Sequence, residues 1–337
     1  MDGITDEAFR LVQTKIAKPD LMFTEFVSAE GISRGGIKLY DILLYSSEER
    51  PIIGQLFGKD PESFYKSAII LCELGFDGVD INMGCPAKTV TQHGSGASLI
   101  AKPDLAINII QSVKKGINDW YSGKTKITDL SLNKKTLDVI TRNKKYSGIN
   151  VETFCETSLP KTKPTLSVKT RLGITESTVD NWIPLLLAQD LDFLTIHGRT
   201  LKQAYAGVAN WEEIKKVVNL AKNTKTKIFG NGDIQSRQQG IKYCQKYGVD
   251  GVLIGRSASG NPWCFNNHIP SPKEKFTAML LHSQIFQEVF PHRQFDSLRK
   301  HFLLYTKNLS NAKSLRMKLI RLNSVKELLS LEDEFNS

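Results

Sequence analysis

Residues 51–86 read PIIGQLFGKDPESFYKSAIILCELGFDGVDINMGCP. An apolar run, Pro51–Phe57, gives way to Asp60-Pro61-Glu62, which supplies a helix cap, a proline at the first helical position and an early acid. Apolar spacing of three and four carries a helix through Phe64–Leu74 to a stop at Gly75. A second apolar run, Gly78–Gly84, ends in Gly84-Cys85-Pro86. Strand, helix and strand at this spacing form one βαβ unit with parallel strands.

The alternation continues outward in both directions. Further apolar, β-branched runs stand at Leu21–Phe26, Leu166–Arg171, Phe193–Gly198, Lys227–Gly232 and Gly251–Gly255. Helical patterns lie between them: one opened by Lys102-Pro103-Asp104 and running to about Lys115, then Glu176–Gln189, Trp211–Lys222 and Ser236–Tyr247. A doubly wound sheet usually stops at about five or six strands. Seven units therefore predict a TIM (β/α)8-type barrel whose first strand is missing. The chain opens on a loop-like Asp2-Gly3 and a helix around Thr5–Lys15, where that strand would stand.

Two segments break the rhythm. Residues 116–164 occupy a connection that normally needs only a few residues, and they read as an insertion with short helices around Leu130–Thr141. After Ser271-Pro272-Lys273 the chain turns helical, with apolar spacing over Phe276–Val289, Asp296–Lys307, Ala312–Leu322 and Ser324–Leu331. The expected organisation is a barrel over 1–265 and a small all-α C-terminal domain over 266–337.

Composition fits this plan. The chain has 337 residues, of which 40% are hydrophobic and 24% charged, so it can bury a core without a disulfide or metal staple. No apolar run approaches the roughly 18 residues that span a bilayer, and Met1–Asp6 lacks the basic and apolar regions of a signal peptide. Cys72, Cys85, Cys155, Cys244 and Cys264 are odd in number and form no CxxC pair, which argues against a disulfide framework or a zinc knuckle and for a reducing cytoplasm. No metal site is expected. The formal net charge is +10. Residues 114–164 hold a net +6 and residues 266–337 a net +4, so the remainder sums to zero. Such segments attract polyanions, although lysine-rich surfaces serve solubility equally well.

In a barrel the C-terminal strand ends build the active site. Here they deliver Gln55, Asn82, Lys169-Thr170-Arg171, His197-Gly198-Arg199, Asn231-Gly232-Asp233 and Gly255-Arg256. Glycine turns after the last two strands can offer backbone N–H groups to a phosphate. Lys169 could hold an electron-rich ring atom of a cofactor or form a Schiff base. Gln55 can donate to and accept from a pyrimidine-like edge. His197 could bind a phosphate or carbonyl, or be structural. Cys72 and Cys244 lie in helical patterns and read as core residues. Cys85 stands at the mouth, where a thiol can protonate a carbanion. The glycine-containing loop from Ala87 to Ala97 could fold over a substrate.

These motifs resemble the flavin-dependent tRNA-dihydrouridine synthases. The matching text is Met1–Asp6 with Phe9-Arg10, Gln55–Gly58, Asp80–Pro86 with Gly94-Ser95-Gly96, Val168–Gly173 and His197–Thr200. Gln203, Tyr205, Gly207, Trp211, Gly230–Asp233, Gly255-Arg256 and, in the tail, His301-Phe302, Tyr305 and Leu315-Arg316 follow in order. The resemblance implies FMN at the barrel mouth, NADPH (or NADH) as reductant and reduction of the C5–C6 bond of uridine in tRNA. It makes Cys85 the proton donor and sets Gln55 and Lys169 against the isoalloxazine. His197, Asn231, Gly232, Asp233, Gly255 and Arg256 would hold the ribityl and phosphate end, and Met1 would open the first flavin-contacting loop. Asn82 and Arg171 would face the uracil, with Arg199 and Tyr205 also on the substrate side. A monomer with tRNA as its partner is expected. The family pattern places a strand and a proline before the residue matching Met1, and it has no counterpart of the 116–164 insertion. An FMN barrel acting on a free pyrimidine shares the fold and the cysteine logic, but such a base needs no basic helical tail. An RNA-binding barrel without flavin would not need Cys85, Lys169 and Gln55.

Overall fold

The computed structural model describes residues 1–149 and 162–336. Its helices begin with α1 (Glu7–Ala17), α2 (Ala29–Ser33), α3 (Pro61–Glu73), α4 (Lys88–Thr91), α5 (Pro103–Tyr121) and α6 (Lys134–Tyr146). They continue with α7 (Val179–Leu187), α8 (Trp211–Ala221), α9 (Arg237–Tyr247), α10 (Pro272–Val289) and α11 (Arg299–Tyr305). The last are α12 (Ala312–Leu319), α13 (Val325–Leu329) and α14 (Glu332–Asn336). No helix among the described residues is long and apolar enough to cross a membrane. Two compact units emerge, one made of Leu21–Asp233 and Gly240–Leu253, the other of Met1–Asp20, Ile234–Gln239 and Ile254–Ser337.

The first unit is built on seven parallel strands in sequence order: β1 (Met22–Ser28), β2 (Ile52–Phe57), β3 (Gly78–Met83), β4 (Thr165–Arg171), β5 (Phe193–His197), β6 (Lys227–Asn231) and β7 (Gly251–Leu253). The expected TIM-like α/β fold with seven strands is what forms. In a flat sheet β1 and β5 would lie about four spacings of ~4.8 Å apart. Instead the rings of Phe23 on β1 and Phe193 on β5 have centroids 6.2 Å apart, and Phe229 on β6 stacks on Phe193 at 4.9 Å. The sheet therefore curls on itself and closes its base with aromatic side chains.

Strand periodicity separates two faces. Val79, Ile81, Val168, Leu194, Ile196 and Ile228 are buried and alternate with the polar positions that hydrogen-bond across the inside of the curl. Close helix packing on the outside needs small residues. A Cβ on Gly54 would meet Leu71 of α3 at 2.8 Å, and one on Gly230 would meet the Trp211 ring of α8 at 2.4 Å. At the strand starts one device recurs. Asp77, Asp192 and Asp250, each just before a strand, accept from the backbone N–H of Ile52, Leu166 and Ile228 at 2.7, 2.7 and 2.8 Å. These carboxylates satisfy edge donors that the ladder leaves unpaired.

Helix α3 forms as its sequence dictates: Asp60 caps Ser63 N–H at 2.9 Å and Gly75 ends the run at φ +81°. The segment after Lys115 departs from expectation. Helix α5 continues past Lys115 to Tyr121, because Ile117 and Trp120 extend its buried stripe. Helix α6 spans Lys134–Tyr146 rather than Leu130–Thr141. It is anchored by Asn143 Nδ2 donating to Tyr40 O at 2.9 Å, by Ser147 Oγ donating to Tyr45 O at 2.8 Å and by an ion pair of Lys144 with Glu73. Glu73 also accepts from Trp120 Nε1 at 3.0 Å. Much of the segment's positive charge is met locally, since Lys114 pairs with Asp190, Lys115 and Lys124 with Asp119, and Arg142 with Asp41. Cys155 lies outside the described residues.

The second unit packs α1 against α10, with Phe9, Ala258 and Cys264 at one centre. Its polar core is unusual: His282 and His301 stand with ring centroids 4.7 Å apart, and His282 Nδ1 lies 3.3 Å from the Tyr305 hydroxyl. Burial, assisted for His282 by Lys300 and for His301 by His282, lowers both imidazoles to about 3. The unfolded chain, titrating near 6.5, therefore binds more protons between about pH 3 and pH 6.5. The stability these histidines permit is complete above that window and declines as pH falls through it. Hydrogen exchange across α10 and α11 is expected to accelerate on acidification, and less so in His282→Gln; identical profiles would refute the assignment.

Candidate active site

Parallel strands bring their C-terminal ends to one side. In-register pairing stacks the inward positions into rows. Gln55, Asp80, Ser167 and Phe193 align, as do Asn82, Lys169, Thr195 and Phe229 one step nearer the mouth. Arg171, His197 and Asn231 align above these. Gln55, Asn82 and His197 are buried, Lys169 and Asn231 half-buried.

A hydrogen-bond chain crosses the first two rows. Asp80, with no exposed surface, accepts from Ser167 Oγ at 2.6 Å and from Gln55 Nε2 at 2.7 Å. Gln55 Oε1 accepts from Asn82 Nδ2 at 3.0 Å. Asn82 Oδ1 in turn accepts the backbone N–H groups of Gly84 and Cys85 at 3.0 and 2.9 Å. The loop that carries Cys85 is thus tied to the strand it leaves. Its far side is tied by Ala97 N donating to Cys85 O at 3.2 Å. Gly96, at φ +61°, permits this approach, since a Cβ there would meet Val90 at 2.8 Å and Cys85 O at 3.0 Å.

Electrostatics at the mouth are cationic. Burial and Arg171 lower the Lys169 ammonium to about 8, while Asp80 and Cys85 act to raise it. Burial raises Asp80 to about 6 against the pull of Ser167, Gln55 and Lys169. Burial thus presses both groups toward their neutral forms, while their mutual attraction favours the charged pair. Lys169 has no ion pair within 4 Å among the described residues, so its charge is available to a ligand.

The two arginines are more committed. Arg171 Nε donates to Gly84 O at 2.6 Å, and Nη1 donates to Thr200 O at 3.2 Å and Ala204 O at 3.4 Å. It thereby ties the Cys85 loop to the loop after β5. Arg199 is 2% exposed, and its Nη2 grips both oxygens of Asp233 at 2.9 and 2.7 Å. Its other donors reach Ala206 O, Gly207 O and, at 3.5 Å, His197 Nε2. An arginine nitrogen can only donate, so this contact favours the His197 tautomer protonated at Nδ1. Tyr205, 59% exposed, stands on the loop these arginines hold. Gly232, at φ +132°, approaches Ala209 and His197 so closely that a Cβ would lie 2.5 Å from Ala209 Cβ. Sequence reading thus finds Gln55, Asn82, Cys85, Lys169, Arg171, His197, Arg199, Tyr205 and Asn231–Asp233 in the sheet unit. Met1, Gly255 and Arg256 belong to the other unit. It missed Asp80 and Ser167, although a charged residue amid the apolar run 78–83 is itself a signal.

Comparison with known proteins gives a consistent picture. The family model for dihydrouridine synthase matches residues 1–150 and 155–336. The probable tRNA-dihydrouridine synthase of Staphylococcus aureus (strain COL) is 34% identical over 100% of this chain and 92% of its own length. The probable tRNA-dihydrouridine synthase 2 of Bacillus subtilis (strain 168) is 33% identical over 99% of this chain and 92% of its own. A crystal structure of DHODH from Eimeria tenella in complex with ferulenol aligns at a TM-score of 0.41 and 14% identity, over 77% of this chain and 63% of that one, a likeness too distant to argue from.

The bridging role of Arg171 yields a prediction. An ammonium cannot span three carbonyls on two loops, so Arg171→Lys is expected to cost about 2 kcal/mol and to speed amide exchange at both loops. Urea denaturation and hydrogen exchange measure the two effects; unchanged exchange at residues 84–97 would refute the bridge.

Proposed function

This chain belongs to the dihydrouridine synthase family, and we propose that it reduces uridine in tRNA to 5,6-dihydrouridine with FMN as cofactor, NADPH as reductant and Cys85 as proton donor. Enzymes of this family are flavin-dependent oxidoreductases acting on tRNA uridines. The observation that carries the residue-level reading is the Asn82 carbonyl holding Gly84 and Cys85 N–H at the mouth, beside the cation Lys169. A cytoplasmic location fits such a substrate.

The donor set suits a flavin. Gln55 gives one Nε2 hydrogen to Asp80 and retains a second. Lys169 keeps an ammonium for the electron-rich ring edge, and His197 with the Asn231–Asp233 turn offers polar groups to the ribityl and phosphate end. When bound, FMN supplies the two-electron reduction at uracil C6. The protein's own residues do the rest. Asn82 fixes the Cys85 backbone, and the thiol delivers a proton to C5 as negative charge develops on C5 and O4. Lys169 and Arg171 lie close enough to Cys85 to be felt electrostatically, so the thiolate left behind is stabilised before it is reprotonated. A uracil stacked in folded tRNA must leave the stack to reach this thiol, and Tyr205 is the exposed aromatic side chain on which it would rest. For Met1, Gly255 and Arg256 a cofactor role rests on sequence resemblance. Arg199, spent on Asp233, would serve the substrate by holding the Tyr205 loop.

The tail is the proposed tRNA platform. On α12 and its flanks, Asn311, Lys313, Ser314, Met317, Lys318 and Arg321 line a groove of about 590 Å³. Lys318 pairs with Glu334 at 2.6 Å and Arg316 Nε donates to Thr306 Oγ1 at 2.8 Å. Lys313 and Arg321 carry no ion pair among the described residues, which leaves them for phosphates.

Two outcomes are expected. Incubation with FMN, NADPH and tRNA lacking dihydrouridine gives nucleosides heavier by two hydrogens on mass spectrometry, and Cys85→Ala slows this by about 10²–10⁴ while NADPH oxidation continues. Unchanged single-turnover reduction in the variant would remove Cys85 from the chemistry. Neutralising Lys313 and Arg321 lowers tRNA affinity and flattens its logarithmic salt dependence by about 0.7–0.9 for each phosphate no longer neutralised, with flavin content unaltered. A slope equal to that of the unmodified protein would move the RNA site elsewhere.

A further inference from the structure

The buried carboxylate of Asp80 lies outside every role described above. It does not reach the mouth. It stands one row beneath Asn82 and Lys169, paired in register with Gln55 on one side and Ser167 on the other. Its two oxygens are taken by Gln55 Nε2 at 2.7 Å and Ser167 Oγ at 2.6 Å.

An ionised carboxylate only accepts hydrogen bonds, and a backbone N–H only donates. Between these two fixed ends lie two amides, Gln55 and Asn82, each of which could point either way. Because Asp80 must receive, Gln55 presents its nitrogen to it and its oxygen to Asn82. Asn82 must then present nitrogen to Gln55, which leaves its oxygen for Gly84 and Cys85. Both ends demand the same direction, so the chain has one arrangement. Gln55 is further fixed by its backbone N–H on Thr24 Oγ1 at 3.1 Å.

We infer that Asp80 is a positioning residue: through Gln55 and Asn82 it sets which atoms of Gln55 are left for the cofactor and holds the backbone that carries Cys85. The inference rests on the reading of Gln55 as a flavin contact and Cys85 as proton donor. A carboxylate in the core is costly to bury, and a purely structural strand would gain more from Val or Ile at this position.

Three measurements on the full chain test it. Asp80→Ala removes the acceptor and frees both amides to turn. Asp80→Asn keeps an oxygen for Gln55 and a donor for Ser167, so the direction of the chain is retained without the charge. In Asp80→Ala, alkylation of Cys85 by iodoacetamide, read on its own peptide with and without FMN, should rise at least about fivefold as the loop loosens, and kcat for uridine reduction should fall by about tenfold or more with KM for tRNA nearly unchanged. Asp80→Asn should recover most of both. If Asp80→Ala does not fold, Asp80→Ser, too short to reach Gln55, carries the same test. Unchanged alkylation in the Ala or Ser variant overturns the inference, and so does equal behaviour of the Asn variant, which would assign the effect to charge alone. The alkylation readout needs no catalysis, so failure of the Cys85 proton-donor reading, seen as undiminished reduction by Cys85→Ala, is separate from failure of this one.

Discussion

A parallel sheet that curls on itself has one face for helices and one for its own interior, and every residue on a strand must choose between them at period two. The pairing of Asn82 with Lys169 and of Asp80 with Ser167 fixes that choice for the whole molecule. It turns the apolar alternate residues of β3, β4, β5 and β6 toward the helices and concentrates polar groups inside. Once inside, those groups must satisfy one another, because an unpaired buried polar atom costs about 1–3 kcal/mol. The site is therefore a consequence of the register. A slip by one residue in β4 would exchange Ser167, Lys169 and Arg171 for Leu166, Val168 and Thr170 and leave Asp80 without Ser167.

The same requirement explains why so much of the cationic mouth is used internally. Arg171 and Arg199 each present five donors in a fixed fork, and neither has exposure enough for water to satisfy them. Arg171 spends its donors on carbonyls of two loops, and Arg199 spends its own on Asp233 and on carbonyls of the loop after β5. These contacts hold the loops after β3, β5 and β6 in mutual register. Lys169 is different in kind: among the described residues no carboxylate stands within ion-pair distance of it, and burial and Arg171 lower its ammonium to about 8. In the reaction proposed for this site, where negative charge develops on the uracil, such a cation would be stabilising.

Charge along the chain and charge in space also diverge. Residues 114–164 carry the larger surplus in sequence, yet Lys114, Lys115, Lys124, Arg142 and Lys144 each stand beside an acid. Apart from the buried Lys144–Glu73 pair, these contacts are partly exposed and add little stability, but they cancel much of the local field. The smaller surplus of the tail is less compensated at Lys313, on α12, and at Arg321, just past the end of that helix, which line one groove.

The sequence by itself determined the order of strands and helices, the α/β barrel class and the family, because βαβ rhythm, helix caps and glycine stops are local and the motif text from Asp80 to Pro86 is specific. It also named Gln55, Asn82, Cys85 and Lys169, since strand ends in such a fold are where chemistry gathers. It placed α6 a few residues early and ended α5 too soon, because helix length there is set by what Trp120 and Lys144 meet on α3, not by propensity. Only the tertiary structure decided which polar groups are spent on one another. The pairing of Asp80 with Gln55 and Ser167, of Arg199 with Asp233, and of Asp77, Asp192 and Asp250 with their neighbouring strands joins residues from 22 to 87 positions apart. Hydrogen bonds of that reach depend on register and curl, and no local pattern encodes them.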